Sequence, residues 1–429
     1  MSSDSSTPPS FDRRYVRYTL WILLAVYILN FLDRQIVNIL AEPIKRDLGL
    51  SDTQVGLMTG LAFALFYAVL GIPIARYADA PQSNRVGIIS VSLALWSGMT
   101  VLCGLAGNFV QLLLARIGVG VGEAGCTPAS HSLIADTVPP EKRASSIAFF
   151  GLGIPLGGLL GMALGGQLAD AYGWRTAFLM AGAPGLLMAV LVWFTMKEPR
   201  RRFAAVPGAP VAPRASFKEA WTEIRASRAF VPLTIAAGTV AFLGYGKGVW
   251  TTIFFIRTHG LTPGEVGLYL GVGYGIAGVL GTWLGGWLAD RYGARQPRHY
   301  LTGPIVSMVI AAPLLYWAYS VDDWRVALVI LFFPTIANSL YYGPAYACAQ
   351  SLVSPRSRAV AASLIVFAQN LIGLGLGPLF FGMLSDAFRP MAGEDSVRWV
   401  LYGAAFLGII PSIFFWLASR HLNAEMKKG

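Results

Sequence analysis

Charge is what this sequence has least of. Of 429 residues only 13% are Asp, Glu, Lys or Arg, where a soluble globular chain carries about a quarter. So little charge cannot dress a full solvated surface, which excludes the ordinary soluble classes. Acids are scarcest, 22 against 33 basic residues, giving a formal net charge of +11. The basic excess is scattered over short loops and forms no single stripe, so nucleic-acid binding is excluded too. There are three cysteines, Cys103, Cys126 and Cys348, all in apolar runs. They make no CxxC pair and no disulfide framework, and read as small buried hydrophobes. Of the four histidines, His259 falls in an outer loop and His299 and His421 near inner surfaces, with no metal-ligand spacing. His131 reads as a satisfied polar helix residue, with a proton relay as the second reading. No nucleophile–base set appears, so an enzyme is not expected, and no cofactor is called for. "MSSDSSTPPSFDRR" is polar and reads as a tail, not a signal peptide, because no short apolar run with a cleavage site follows.

What the chain has is apolar length: 55% of it is hydrophobic. A bilayer-crossing helix needs ~20 mainly apolar residues. Twelve runs qualify, at roughly 16–43, 53–78, 86–106, 109–136, 144–169, 175–196, 230–256, 264–289, 299–319, 325–353, 359–385 and 398–419. With the N-terminus in the cytoplasm, the inner segments collect Arg13, Arg14, Arg17, Arg85, Lys142, Arg143, Arg291, Arg295, Arg298, Arg356, Arg358, Arg420 and the linker arginines. The outer loops hold only Lys45, Arg46, Arg175, Arg257, Arg325, Arg389 and Arg398. This bias predicts both termini inside a bacterial inner membrane. The predicted organisation is a tail (1–14), a six-helix bundle (15–196), a cytoplasmic linker (197–228), a second bundle (229–420) and a tail (421–429). Within the linker, Ser216 and Glu219 form a capping box. Phe217, Ala220, Trp221 and Ile224 share one helical face there.

The halves repeat each other. Leu50, Val55, Gly56, Leu57, Gly60, Ala78 and Asp79 recur at constant offset as Leu261, Val266, Gly267, Leu268, Gly271, Ala289 and Asp290. A Gly-then-Asp ending closes spans 2, 5, 8 and 11: "GIPIARYAD", "GGQLADAYG", "GGWLADRYG" and "GMLSDAF". One ending every three helices is the repeat signature of a transporter. With "GIPIARYADAPQSNR" and "GGWLADRYGAR", the chain resembles the major facilitator superfamily. "LNFLDRQIVN", "ARIGVGVGEAGCTPASHSLIAD" and "GYGKGVW" make it similar to that superfamily's Spinster (lysolipid and sphingolipid transporter) family, as a bacterial homologue. "ADAPQSNR" departs from the superfamily's usual "ADRxGRR", which predicts a thinner charge relay in that loop. The resemblance implies an all-α fold of twelve transmembrane helices in two pseudo-symmetric bundles about a central cavity.

Five ionisable residues fall inside spans, where charge is costly and marks function: Asp33 and Arg34 in span 1, Arg116 and Glu123 in span 4, and Lys247 in span 7. At ~1.5 Å per residue, Asp33 and Arg116 reach similar depths, roughly 15 and 10 Å from the outer ends. Arg116 and Glu123 are two turns apart on one face. Asp33 and Glu123 are the predicted proton carriers. Arg34, Arg116 and Lys247 are their charge partners and the head-group ligands. The competing reading is two buried ion pairs that only lock span 1 to span 4. With both acids ionised the set is net +1, which favours an anion. Tyr245, Trp250, Asn338, Tyr341, Tyr342, Gln369 and Asn370 form the predicted aromatic and polar wall opposite. Spinster resemblance implies proton coupling and a lysophospholipid-like or sphingoid-phosphate-like substrate.

A cytoplasmic gate is expected where Asp79 faces Arg356 and Arg358, and Asp290 faces Lys142 and Arg143, with Arg85 alongside. Each Asp would meet a helix N-terminus. "GVGVGEAG" (118–125) lacks the strand and Lys-Ser/Thr of a nucleotide loop. Gly118 and Gly122 instead make a close-packing face. Gly and Pro in "GLGIPLGG" and "GLGLGP" read as bends in spans 5 and 11. The leading reading is a monomeric, proton-coupled, alternating-access transporter of an anionic amphiphile. The alternatives are a multidrug or organic-anion exporter of the same fold and, in a second class, a non-transporting receptor or scaffold.

Overall fold

The structure, a computed structural model, describes residues 12–80, 82–202, 217–293 and 295–426. These residues are helical throughout, with no strand among them. Ten segments are long and apolar enough to cross a membrane. Eight are single crossings: α1 (Arg13–Leu48), α2 (Asp52–Asp79), α3 (Arg85–Gly104), α4 (Phe109–Thr137), α7 (Phe230–Thr258), α8 (Pro263–Gly293), α9 (Pro297–Ser320) and α10 (Trp324–Ser351). The other two, Ser145–Thr195 and Arg358–Glu425, hold 51 and 68 residues, more than twice the ~20 that one crossing needs.

The chain turns back within each long segment. Gly173 sits at φ 81, which only glycine adopts freely. Before it, Gly153, Gly157, Gly161 and Gly165 meet Tyr27, Ile28, Leu32 and Ile36 in rising order, parallel to α1. After it, Gly182 and Gly185 meet Ser97 and then Leu93, antiparallel to α3. The segment is therefore α5 (145–172) and α6 (174–195). Gly393, at φ 59, breaks the last segment into α11 (358–392) and α12 (396–425). So divided, the ten segments account for the twelve expected crossings.

Local chemistry repeats with the sequence. Ser51 accepts from the Gln54 N–H at 3.1 Å while the Gln54 side chain accepts from the Ser51 N–H at 2.9 Å. Thr262 and Glu265, at the matching positions, do the same. Two capping boxes thus start α2 and α8. The expected bends are present: α5 breaks at 151–153 and α11 carries a π-helical stretch, Gln369–Leu376. Gly122 packs so tightly on α3 that a Cβ there would stand 2.6 Å from the Trp96 nitrogen. The three cysteines are buried and free.

Helices α1–α6 and α7–α12 meet chiefly at the end away from the termini, through α2 on α11 and α5 on α8. Repeated glycines make both seams. A Cβ on Gly56 would strike the Pro378 carbonyl, and one on Gly267 the Met162 carbonyl. At the terminal end, Cys126–Thr137 and Arg143–Gly151 pack within the first half, and Tyr342–Ser351 and Arg358–Ala368 within the second. The molecule is thus closed at the far end and parted at the terminal end.

A short helix, Phe217–Ala226, bridges toward α7. Its Ala220 and Ile224 are buried. Trp221 is turned outward under Arg225, with 5.1 Å between guanidinium and ring centre, so it leaves the shared face the sequence predicts. Ser216 of the expected capping box lies outside the described residues.

Candidate functional site

Asp33 and Arg34 are neighbours on α1, so their side chains leave the helix about 100° apart. They meet different contacts, although Glu123 lies near both. Arg34 stands among three aromatic rings, with Phe31 and Phe63 centred 5.0 Å away and Tyr67 4.5 Å away. Its Nε donates to Glu123 Oε2 at 2.6 Å, an ion pair joining α1 to α4. The Arg34 side chain keeps 14% exposure while Glu123 has none. Glu123 is the last residue before α4 breaks, between Phe109–Glu123 and Cys126–Thr137.

Asp33 turns the other way, into the first half, and is 2% exposed. It makes no hydrogen bond or ion pair among the described residues, and its Oδ1 is an orphan. Arg116, also 2% exposed, lies with its guanidinium 5.4 Å over Phe63 and has an unpartnered Nε. Of the two ion pairs the sequence suggested, only Arg34–Glu123 closes. An ionised carboxylate buried without a partner is costly, so Asp33 requires a proton or an approaching cation.

Lys247 on α7 is buried and has no hydrogen bond or ion pair among the described residues. In the second half, Gln369 donates from Nε2 to the Tyr341 hydroxyl at 2.9 Å and accepts from the Tyr346 hydroxyl at 2.6 Å. Tyr342 stacks on Tyr346, 5.8 Å between centres, and is exposed. Tyr245, Asn338 and Asn370 are half-buried. Two side chains are placed differently from expectation. Trp250 is fully buried and donates to the Pro378 carbonyl at 2.9 Å, fastening α7 to α11 instead of lining a cavity. Arg85 does not face the second half. It is buried within the first, on Glu198, Asp136 and the Ser132 carbonyl.

Beside it the linker's Arg200 donates to the Ala78 and Ala80 carbonyls at 3.0 and 2.7 Å and to Asp136 at 3.0 Å. This nonlocal arginine supplies loop contacts where "ADAPQSNR" keeps a single basic residue, Arg85. Asp79, Asp290, Lys142, Arg143, Arg356 and Arg358 are all exposed at the parted end. No ion pair joins Asp79 to Arg356 or Arg358, or Asp290 to Lys142 or Arg143, among the described residues.

The closed end carries what sequence reasoning missed. Asp386 of α11 accepts from the Asp52 and Thr53 N–H groups at 3.0 and 2.7 Å, capping α2 across the seam. Asp170 of α5 accepts from the Gly264 N–H at 2.9 Å, capping α8. Both aspartates belong to the repeated Gly-then-Asp endings, which was the available signal. Beneath them Arg257 of α7 reaches Asp52 at 2.6 Å and Glu42 at 2.8 Å, and Lys45 pairs with Asp52. Lys45 and Arg257 read as ordinary outer-loop cations only because their partners lie on other helices.

The Major Facilitator Superfamily model matches residues 23–378. A protein of Mycolicibacterium smegmatis described as an MFS-type efflux pump is 35% identical over 94% of this chain and 93% of its own. Protein spinster homolog 1 of Xenopus laevis is 26% identical over 97% of this chain and 83% of its own. The crystal structure of a bacterial homolog to the human lysosomal transporter Spinster, inward-facing and unoccupied, superposes with a TM-score of 0.87 at 34% identity, over 97% of this chain and 99% of that one. An all-helical chain with a duplicated half and glycine seams between the halves agrees with these matches: the chain belongs to the Major Facilitator Superfamily of membrane transporters.

Proposed function

We propose that the protein moves an anionic amphiphile across the bacterial inner membrane by alternating access, coupled to protons through Asp33 and Glu123. The observation that carries this reading is the split of the α1 pair. Arg34 is engaged by Glu123 at 2.6 Å, while Asp33 is buried without an ion-pair partner among the described residues. A proton on Glu123 releases Arg34 to a substrate head group, whose phosphate or carboxylate takes the planar guanidinium fork. Lys247 adds a second cation from the opposite half, and the Tyr341–Gln369–Tyr346 cluster adds a polar, aromatic wall for the chain-bearing part. Proton and anion are then bound together. Export by proton exchange draws its coupling from the conformational preference of the loaded forms.

Lysine and arginine bias puts both termini in the cytoplasm, so the parted end opens inward. One chain encloses the whole cluster, and a monomer suffices. Protons are the coupling ion and no other cofactor enters. Similarity to an efflux pump favours a second reading, an exporter of organic anions or drugs.

The test is flux into proteoliposomes under an imposed pH gradient. Lysophospholipids and sphingoid phosphates are compared with hydrophilic anions. Gradient-driven flux of the amphiphiles is expected, and loss of it in Asp33→Asn and Glu123→Gln. Flux of hydrophilic anions alone would replace the substrate reading. Intact, gradient-driven flux in both variants would remove the two acids from coupling. Absence of any flux favours the receptor or scaffold.

A further inference from the structure

The carboxylate of Asp33 points at a helix that the proposed mechanism does not use. On α3, Trp96 and Thr100 are four residues apart and therefore on one face. They are 0% and 1% exposed, and Trp96 Nε1 and Thr100 Oγ1 have no hydrogen-bond partner among the described residues. Both lie beside Asp33. Its neighbours Glu123 and Arg116 carry further buried, unpartnered atoms, Oε1 and Nε, and Asn30, beside Glu123, leaves both amide atoms open. Buried polar groups in native proteins are almost always paired, and each one left open is destabilising. More than half of the unpartnered buried side-chain atoms among the described residues belong to these residues of α1, α3 and α4. They are also complementary, with donors on Trp96, Thr100 and Arg116 and acceptors on Asp33 and Glu123. Chance packing does not collect matched donors and acceptors in this way.

We propose that Thr100 and Trp96 are positioning residues for Asp33, donating to its carboxylate in its ionised form and releasing it when the proton arrives. This rests on the reading of Asp33 as a proton carrier. The charged and titratable groups facing Asp33 are Glu123 and Arg116 from α4 and Cys103 from α3, with Arg34 next to it on its own helix. The α5 face packed on this stretch of α1 is glycine, at Gly157 and Gly161, and brings no charge. Trp96 and Thr100 of α3 are thus neutral donors that can follow the carboxylate through its cycle without adding charge.

The experiment needs no substrate. Spin labels across the terminal end of the full-length protein report its opening as a function of pH. Thr100→Val keeps the shape and removes the hydroxyl, so the ionised carboxylate loses a donor and the proton is held more tightly. The midpoint of opening should move about one pH unit upward, tenfold in proton affinity. Trp96→Phe should move it the same way, and Thr100→Ser should restore the wild-type midpoint. If Asp33→Asn abolishes the pH dependence but Thr100→Val and Trp96→Phe keep the wild-type midpoint, the role given to α3 is overturned. If Asp33→Asn leaves the pH dependence intact, the proton reading of Asp33 falls first.

Discussion

Adjacent residues on one helix can be assigned to separate tasks because the backbone turns their side chains apart. Arg34 works through planarity as much as charge, lying among Phe31, Phe63 and Tyr67 and donating its Nε to Glu123. Lysine keeps the charge but loses the fork and much of the stacking. A hydrogen bond to a charged group is worth about 1.5–3 kcal/mol. Arg34→Lys should therefore lower proteoliposome flux roughly tenfold or more, and wild-type flux would deny the geometry any part. The five charges inside spans were legible in the sequence because a membrane makes charge conspicuous. Of their pairings, Arg34 with Glu123 was legible and Asp33 with Arg116 was not realised. Asp33 and Arg116 were placed at like depth by counting residues, yet counting gives height on a helix and says little about which neighbour a side chain faces. Tyr346 and Tyr67 were passed over because an aromatic in an apolar run looks like any other core residue until a hydroxyl finds Gln369 or a ring meets Arg34.

Elements were the most legible level. Runs of apolar length marked the crossings, and glycine with proline marked the bends. Those signals are local, and so is helix formation. The linker helix was legible as a helix but not in its docking, which depends on Ser354 far along the chain. Glu223 accepts from the Ser354 N–H and hydroxyl at 2.9 Å each. Slight burial opposes its ionisation, and the Ser354 hydrogen bonds override that, holding the carboxyl below its usual range. A lowered carboxyl favours docking fully above the unfolded value of about 4.3, and that contribution is lost as pH falls through the lower docked value. Glu223→Gln should thus expose the linker helix to faster hydrogen exchange at neutral pH. In the wild type, Trp221 fluorescence should stay flat down to about pH 4.3 and change below it. Unchanged exchange in the variant would mean that Ala220 and Ile224 alone hold the helix down.

At the scale of the molecule, the repeat was visible in sequence while its purpose was not. The glycines recur because two seams between the halves need backbone contact, and the aspartates recur because helix starts across those seams need an acceptor. Asp386→Ala removes the carboxylate from the Asp52 and Thr53 N–H groups. A lost cap costs about 1 kcal/mol, enough to shift a two-state balance about fivefold. Spin labels across the far end should report a larger open population in the variant. An unaltered distance distribution would show that Arg257, Glu42, Lys45 and Asp52 hold that end unaided.

Four helix starts and four aspartates have one further consequence. In this conformation Asp170 and Asp386 are taken and Asp79 and Asp290 stand clear of the opposite half's helix starts. Rocking the halves the other way is expected to trade the first two caps for contacts of the second two, and it would also part Arg257 from Glu42 and Asp52. The pose described here is therefore latched by more than its caps, and proton and passenger together must outweigh that latch before the molecule turns over.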